Sequence, residues 1–295
     1  MLKRLLIVMV ALCGPLTWAN PPPVETNLAI IKTGKVSVRQ GLVFSGGSWT
    51  EVVDSNFSAF LIQHGQDRIL FDTGLGKDID AQYRQDMRTW ESAFFRYEQP
   101  IDPVRDQLAR AGLPAVTNIV LSHAHWDHAS GINDFPLAQV YAHQAETALA
   151  HHGQSGISHA WPSQVAASVG HWRALAFTPQ TYEGFDHSLD WFEDGSVVFV
   201  QLGGHTAGSV GVFVNLTSGR RIFLVGDAVW SAQALGTGSA KFALARWLVD
   251  DNADKTQQVL EHIRGLMRKY PSMVVLPAHD GPLQERLGYF PAWVR

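Results

Sequence analysis

The sequence predicts a single mixed α/β domain. Short apolar runs rich in Val, Ile, Leu and Phe alternate with stretches of helical periodicity, and no repeat, low-complexity tract or linker separates them. The residues best suited to chemistry follow the apolar runs directly, so they sit at strand ends. From the N-terminal side, β-type runs are expected at Leu28 to Lys32, Val36 to Val38, Ser58 to Gln63 and Arg68 to Phe71. Gly65-Gln66-Asp67 forms a turn between the last two. Asp72-Thr73-Gly74 closes a strand. Lys77 to Tyr97 then carries Trp90, Phe94, Phe95 and Tyr97, which reads as a helix packing aromatics into the core, with a flap over an active site as the alternative. Pro103 to Ala111 places Val104, Leu108 and Ala111 on one helical face, and Gly112 stops it before a strand at Val116 to Leu121. A strand at Gln139 to Ala142 and a helix at Ala145 to Ala150 repeat the alternation. Strands at Val197 to Leu202, Val210 to Leu216 and Arg221 to Val225 follow. A helix at Asp254 to Tyr270 gathers Val259, Ile263, Leu266 and Met267 on one face, ahead of a last strand at Met273 to Leu276.

Composition narrows the class. The 295 residues are 46% hydrophobic and 17% charged, which suits an ordinary globular protein. Lys and Arg number 23 against 27 Asp and Glu, a formal net charge of -4. No basic field draws such a chain to nucleic acid or anionic lipid, so a small molecule is the expected partner.

The N-terminus reads "MLKRLLIVMVALCGPLTWANPPP". Lys3 and Arg4 precede an apolar stretch from Leu5 to Leu12, then Gly14-Pro15 and the small residue Ala19. This is the layout of a secretory signal peptide, which divides the chain into a signal over 1–19 and a mature domain over 20–295. The expected location is periplasmic or secreted, with no stable membrane anchor after cleavage. A buried N-terminal helix would have to accommodate Lys3, Arg4 and the proline break, and a lipoprotein anchor at Cys13 is disfavoured by the bulk of Leu12. Cys13 is the only cysteine, so cleavage removes every thiolate ligand and nucleophile. Chemistry must then come from His, Asp and hydroxyls.

One stretch concentrates it. In "SHAHWDHASG", Ser122 to Gly131, His123 and His125 are two apart on a segment leaving a strand, so both can face one metal ion. Asp127 and His128 follow at once and can be turned toward a second. A catalytic metal needs ligands from elsewhere, and His205 in "LGGHTAGS", Asp227 in "FLVGDAVW" and His279 in "VLPAHDGP" each follow an apolar run. The other histidines, among them His64, His143, His151, His152, His159, His171, His187 and His262, lack that context and read as surface or satisfied core residues. Arg246 and Asp250 stand at helical spacing and read as a structural ion pair, with substrate carboxylate binding by Arg246 as the alternative.

The H-x-H-x-D-H pattern, with a downstream His, Asp and final His in the same order, resembles the metallo-β-lactamase superfamily of metallohydrolases from about Asn27 onward. The resemblance implies a four-layer αβ/βα sandwich with metals at one edge. It implies that His123, His125 and His205 hold one zinc ion, that Asp127, His128 and His279 hold another, and that Asp227 bridges them. Asp72 in "FDTG" matches a position that supports ligands from behind; a plain turn aspartate is the competing reading. Two zinc ions sharing a water lower its pKa toward roughly 7 and so need no protein nucleophile, while Asp127 is available to take a proton as the tetrahedral intermediate collapses. The motifs look most like the N-acyl homoserine lactonase branch. In that branch a tyrosine stands three residues after the bridging aspartate, where this chain has Trp230, an indole that donates but does not accept. The expectation is thus an exported dinuclear zinc hydrolase of lactones or related esters. A β-lactam or thioester hydrolase is the near alternative, and an iron persulfide dioxygenase of the same fold or a non-catalytic zinc protein stands further off. A structural zinc site closes with four ligands and needs no bridge.

Overall fold

The computed structural model describes residues 24–294; the expected signal segment, its expected cleavage position and Cys13 lie outside them. Strand β1 (Thr26–Arg39) is longer than the two runs its sequence suggests. Its register against β2 (Val52–His64) shifts between Lys32 and Gly34, and this bulge breaks the alternation that would have joined the runs. Strand β2 extends N-terminally through polar Asp54, Ser55 and Asn56, which is why only its apolar second half was foreseen. Strands β3 (Asp67–Phe71), β4 (Asn118–Val120), β5 (Gln139–Ala142) and β6 (Trp172–Ala174) complete a six-stranded sheet in sequence order, parallel from β3 onward. The second sheet has five strands in the order β11-β10-β9-β8-β7, built from β7 (Ser188–Asp190), β8 (Val197–Gln201), β9 (Val210–Asn215), β10 (Arg221–Leu224) and β11 (Val274–Leu276). Three-residue β6 and β7 are too short to show a period, and the sequence did not announce them.

The two-residue strand period divides the core into layers. In β1, Leu28 and Ile30 join Phe60, Ile62 and Phe71 against Phe199, Val212 and Leu224 of the second sheet. Their neighbours Ala29 and Ile31 face the other way and pack with Val104 and Leu108 of the helix Val104–Arg110. On the far side, Phe213 and Phe223 meet Val259, Ile263 and Leu266 of the helix Ala253–Lys269. Helix, sheet, sheet and helix are therefore stacked in that order, the four-layer αβ/βα sandwich expected. Among the described residues no helix is long and apolar enough to cross a membrane.

The Lys77 to Tyr97 stretch divides. Tyr83, Phe95 and Tyr97 pack with Trp126 and Trp161, as the core reading requires, whereas Trp90 and Phe94 are more than half exposed. Only its first half is a regular helix, Ile79–Asp86.

Candidate metal centre

The functional residues leave the C-terminal ends of β3, β4, β8, β10 and β11 at one edge of the sandwich, where loops are held by a rigid scaffold. Buried Glu146 fastens two of these loops together. Its carboxylate accepts from Ala124 N, between His123 and His125, at 2.8 Å, and from Thr206 Oγ1 at 2.7 Å and Gly208 N at 3.2 Å beside His205. A Cβ at position 208 would lie 2.6 Å from Glu146 Oε1, so any larger residue there would displace this carboxylate. Gly226, just before Asp227, has φ +50°, and a Cβ on it would sit 2.9 Å from Ser122 Cβ.

The side chains converge as the sequence anticipates. His205 Nε2 lies 3.1 Å from His123 Nε2 and 3.1 Å from His125 Nδ1. Asp227 turns one oxygen toward His205 Nε2 at 3.6 Å and the other toward His128 Nε2 at 3.3 Å and His279 Nε2 at 3.1 Å. Asp127 Oδ2 stands 3.3 Å from His279 Nε2. Donor atoms of His123, His125 and His205 lie within 4.8 Å of one another, as do those of Asp127, His128 and His279. The same separation holds for His123, His128 and Asp227, which places the aspartate between the two groups.

The outward ring nitrogens determine what the inward ones offer. His128 Nδ1 donates to Asp72 Oδ2 at 2.8 Å, His205 Nδ1 to Asp250 Oδ1 at 2.8 Å, and His279 Nδ1 to the Asn56 carbonyl at 2.7 Å. Ser122 Oγ gives its one hydrogen to Asp72 Oδ2 at 2.8 Å and so accepts from His123 Nδ1 at 2.9 Å. His123 and His205, both held neutral by burial, are thereby fixed with a hydrogen outside and a lone pair inside, while the Nδ1 hydrogens of His128 and His279 orient those rings with Nε2 toward Asp227. The Nε2 lone pairs of His123 and His205, 3.1 Å apart with no hydrogen between them, repel. His128 Nε2 and Asp227 Oδ1 are, in addition, buried 3.3 Å apart without a well-formed hydrogen bond between them. A divalent cation relieves both defects, and five imidazoles with two carboxylates form a donor set suited to zinc. The residues fit the metals that the sequence implied.

Electrostatics follow the same layout. Burial, reinforced by the neighbouring imidazoles, holds His123 and His125 well below the usual histidine range. Burial and the nearby Lys241 ammonium lower His205. At His128 burial is outweighed by Asp72, Asp227 and Asp127, and at His279 by Asp227 and Asp127, so both are raised. Burial would raise Asp227, but His279 and His128 carry it well below the carboxylate range. Asp127 is raised by burial.

All seven residues singled out from the sequence come together. Asp72 supports His128 and Ser122 rather than serving only as a turn. Of the remaining histidines, His64 pairs with Asp194 and stacks on Phe192, His143 accepts from Ala145 N at a helix start, and His262 donates to the Glu183 carbonyl. The Arg246–Asp250 ion pair is not formed: the buried Asp250 carboxylate goes to Lys241 and His205 instead. Asp250, Lys241, Glu146 and Ser122 were missed, because nothing in their local sequence distinguishes them from other polar residues. A cavity of about 280 Å³ opens beside the cluster, lined by Asp127, His279 and Trp230 together with Val36, Phe57, Phe94, Phe95, Trp126, Phe242 and Leu248. Trp230 donates its Nε1–H to Asp227 Oδ2 at 2.8 Å.

Comparison with known proteins agrees with this geometry. The family model described as the metallo-beta-lactamase superfamily matches residues 55–279. The chain is 24% identical over 269 residues to the N-acyl homoserine lactonase AiiB of Agrobacterium fabrum, covering 86% of this chain and 93% of that one. It is 25% identical over 232 residues to the acyl-coenzyme A thioesterase MBLAC2 of Bos taurus, covering 75% and 71% respectively. A crystal structure of a B. thuringiensis AiiA variant with N-decanoyl-L-homoserine bound at its active site superposes with a TM-score of 0.65 at 16% identity, covering 92% of this chain and all of the other, a likeness of fold.

Proposed function

Since the chain belongs to the metallo-β-lactamase superfamily and is a metal-dependent hydrolase, we propose that it is an exported dinuclear zinc enzyme that opens lactones or related esters, with N-acyl homoserine lactones as the leading substrates. The observation that carries this reading is the shared Asp227 between two donor groups, of which Asp127 and His279 line an apolar cavity. His123, His125 and His205 would hold one ion and Asp127, His128 and His279 the other. When bound, the ions supply Lewis acidity toward the substrate carbonyl and a hydroxide nucleophile near neutral pH. The chain's own residues orient the substrate and handle its proton. The aromatic and aliphatic walls take an acyl chain and exclude water from the reacting carbonyl. Asp127 borders the cavity and is the carboxylate there available to pass a proton to the leaving oxygen. Trp230 presents only an apolar face to substrate, because its single N–H is engaged by Asp227. The acyl group is therefore held by packing rather than by a side-chain hydrogen bond from this position.

A second reading, thioester hydrolysis, is favoured by the acyl-coenzyme A thioesterase relative and needs the same apolar cavity. The deciding experiment offers N-decanoyl homoserine lactone and decanoyl-coenzyme A to zinc-loaded protein recovered from a periplasmic fraction, with an EDTA-treated control. Chelator-sensitive ring opening by a protein whose N-terminus is Asn20 is the expected result. Thioester turnover without ring opening would transfer the site to the second reading, and activity surviving chelation would refute both. An N-terminus at Met1 would refute export alone.

A further inference from the structure

Behind the ligands lies a cation that none of the chemistry above uses. Lys241 is 1% exposed, an expensive place for an ammonium. Its Nζ lies 2.5 Å from Asp250 Oδ1, 3.0 Å from His205 Nδ1 and 5.4 Å from the centre of the Trp230 ring. We propose that Lys241 is a positioning residue that sets two of the candidate ligands at once, His205 through Asp250 and Asp227 through Trp230. The inference rests on the reading of the cluster as a metal site.

The first branch is a matter of hydrogens. Asp250 Oδ1 lies 2.8 Å from His205 Nδ1, and a carboxylate only accepts, so the imidazole hydrogen is on Nδ1. An ammonium only donates, so Lys241 cannot bond that nitrogen as well. It directs hydrogen to Asp250 Oδ1 and pins the oxygen on which the histidine depends. His205 Nε2 is left as a lone pair aimed at the space shared with His123 and His125. The second branch is a matter of packing. The indole of Trp230 lies against the same ammonium, a contact that favours the ring face. In that orientation its Nε1–H meets Asp227 Oδ2, the oxygen directed at His205. His205 and Asp227 come from separate loops after β8 and β10, and Lys241 is the group that touches the partners of both.

A buried ion pair that served stability alone would be replaceable by apolar residues of similar size, often at no cost. That difference supplies the test. Lys241→Met, Trp230→Phe and the double variant Lys241→Met/Asp250→Leu are titrated with zinc against a chromophoric chelator, and the melting temperatures of their zinc-free forms are measured. Lys241→Met is expected to lose about 10- to 100-fold in zinc affinity. The double variant should regain the zinc-free melting temperature, because no unpaired charge remains, but not the affinity. Trp230→Phe should weaken affinity by less, and Lys241→Met added to it should cost less than in the wild-type background, since the two share a branch. Affinity within twofold of wild type in Lys241→Met overturns the proposal, as does a double variant that recovers affinity together with melting temperature. If Lys241→Met fails to fold, Lys241→Met/Asp250→Asn, which keeps an acceptor for His205 Nδ1 and leaves no unpaired charge, decides by the same affinity criterion, and Trp230→Phe reads the second branch on its own. A wild-type protein that binds no zinc refutes the metal site itself, whereas wild-type binding with unaffected variants refutes only the role of Lys241.

Discussion

Asp72 has φ +59°, a left-handed backbone that costs a non-glycine residue about 1–3 kcal/mol. The compensation is local: its fully buried carboxylate accepts from Ser122 N at 2.7 Å, Ser122 Oγ at 2.8 Å and His128 Nδ1 at 2.8 Å. Asparagine tolerates the same backbone but has one acceptor oxygen, and its amide would face hydrogens rather than lone pairs. Asp72→Asn should therefore keep the fold while lowering zinc affinity about 10- to 100-fold, read by competitive titration alongside circular dichroism. Unchanged affinity would reduce Asp72 to a turn anchor. The contrast with Asp250 explains what single residues reveal in a sequence. Asp72 ends an apolar run and His123 to His128 form a dense local motif, so their place at a strand end is written nearby. Lys241 precedes and Asp250 follows the seven-residue helix Ala243–Val249, and they meet His205 only through tertiary packing, which leaves no periodic trace.

At the scale of elements, the strands and the long helix were legible wherever a period of two or 3.6 ran for enough residues, as in β8, β9 and Ala253–Lys269. The cavity wall was not, because it is assembled from pieces too short or too mixed to show a period. Ala93 ends a single 3-10 turn and Phe94 to Arg96 follow it, and Leu244, Ala245 and Leu248 come from the seven-residue helix Ala243–Val249. Phe94 is 60% exposed yet lines the cavity, which suits a residue completed by substrate rather than by the core. Truncating it removes apolar contact with a long acyl chain, on the order of 1–2 kcal/mol. Phe94→Ala should thus raise KM about 5- to 30-fold for a decanoyl lactone, with little change for a butanoyl lactone or in kcat for either. Equal effects on both chain lengths in steady-state assays would place the acyl chain elsewhere.

The whole molecule is joined at the site. His123, His125 and His128 follow β4 in the first sheet, while His205, Asp227 and His279 follow strands of the second, so ions bound there tie the two sheets together. Without them the Nε2 lone pairs of His123 and His205 repel, and His128 Nε2 and Asp227 Oδ1 stay 3.3 Å apart without a well-formed hydrogen bond. A ligand present at about 1,000 times its Kd stabilises the folded state by roughly 4 kcal/mol, and in domains of 150–250 residues each kcal/mol moves Tm by about 2–4 °C. Chelation at pH 7.5 should accordingly lower Tm by about 8–16 °C. The sign with pH follows from competition for the same nitrogens: ligand imidazoles must be neutral to bind metal, so the metal's contribution is complete at higher pH and is lost as pH falls through the histidine range near 6. His128 and His279, whose pKa values the surrounding carboxylates raise in the metal-free protein, are the first to be captured by protons on that descent. Calorimetry with and without chelator should therefore give a wide gap at pH 7.5 that narrows at pH 5. A gap of constant width would mean that the stabilising ion is held by groups other than these histidines.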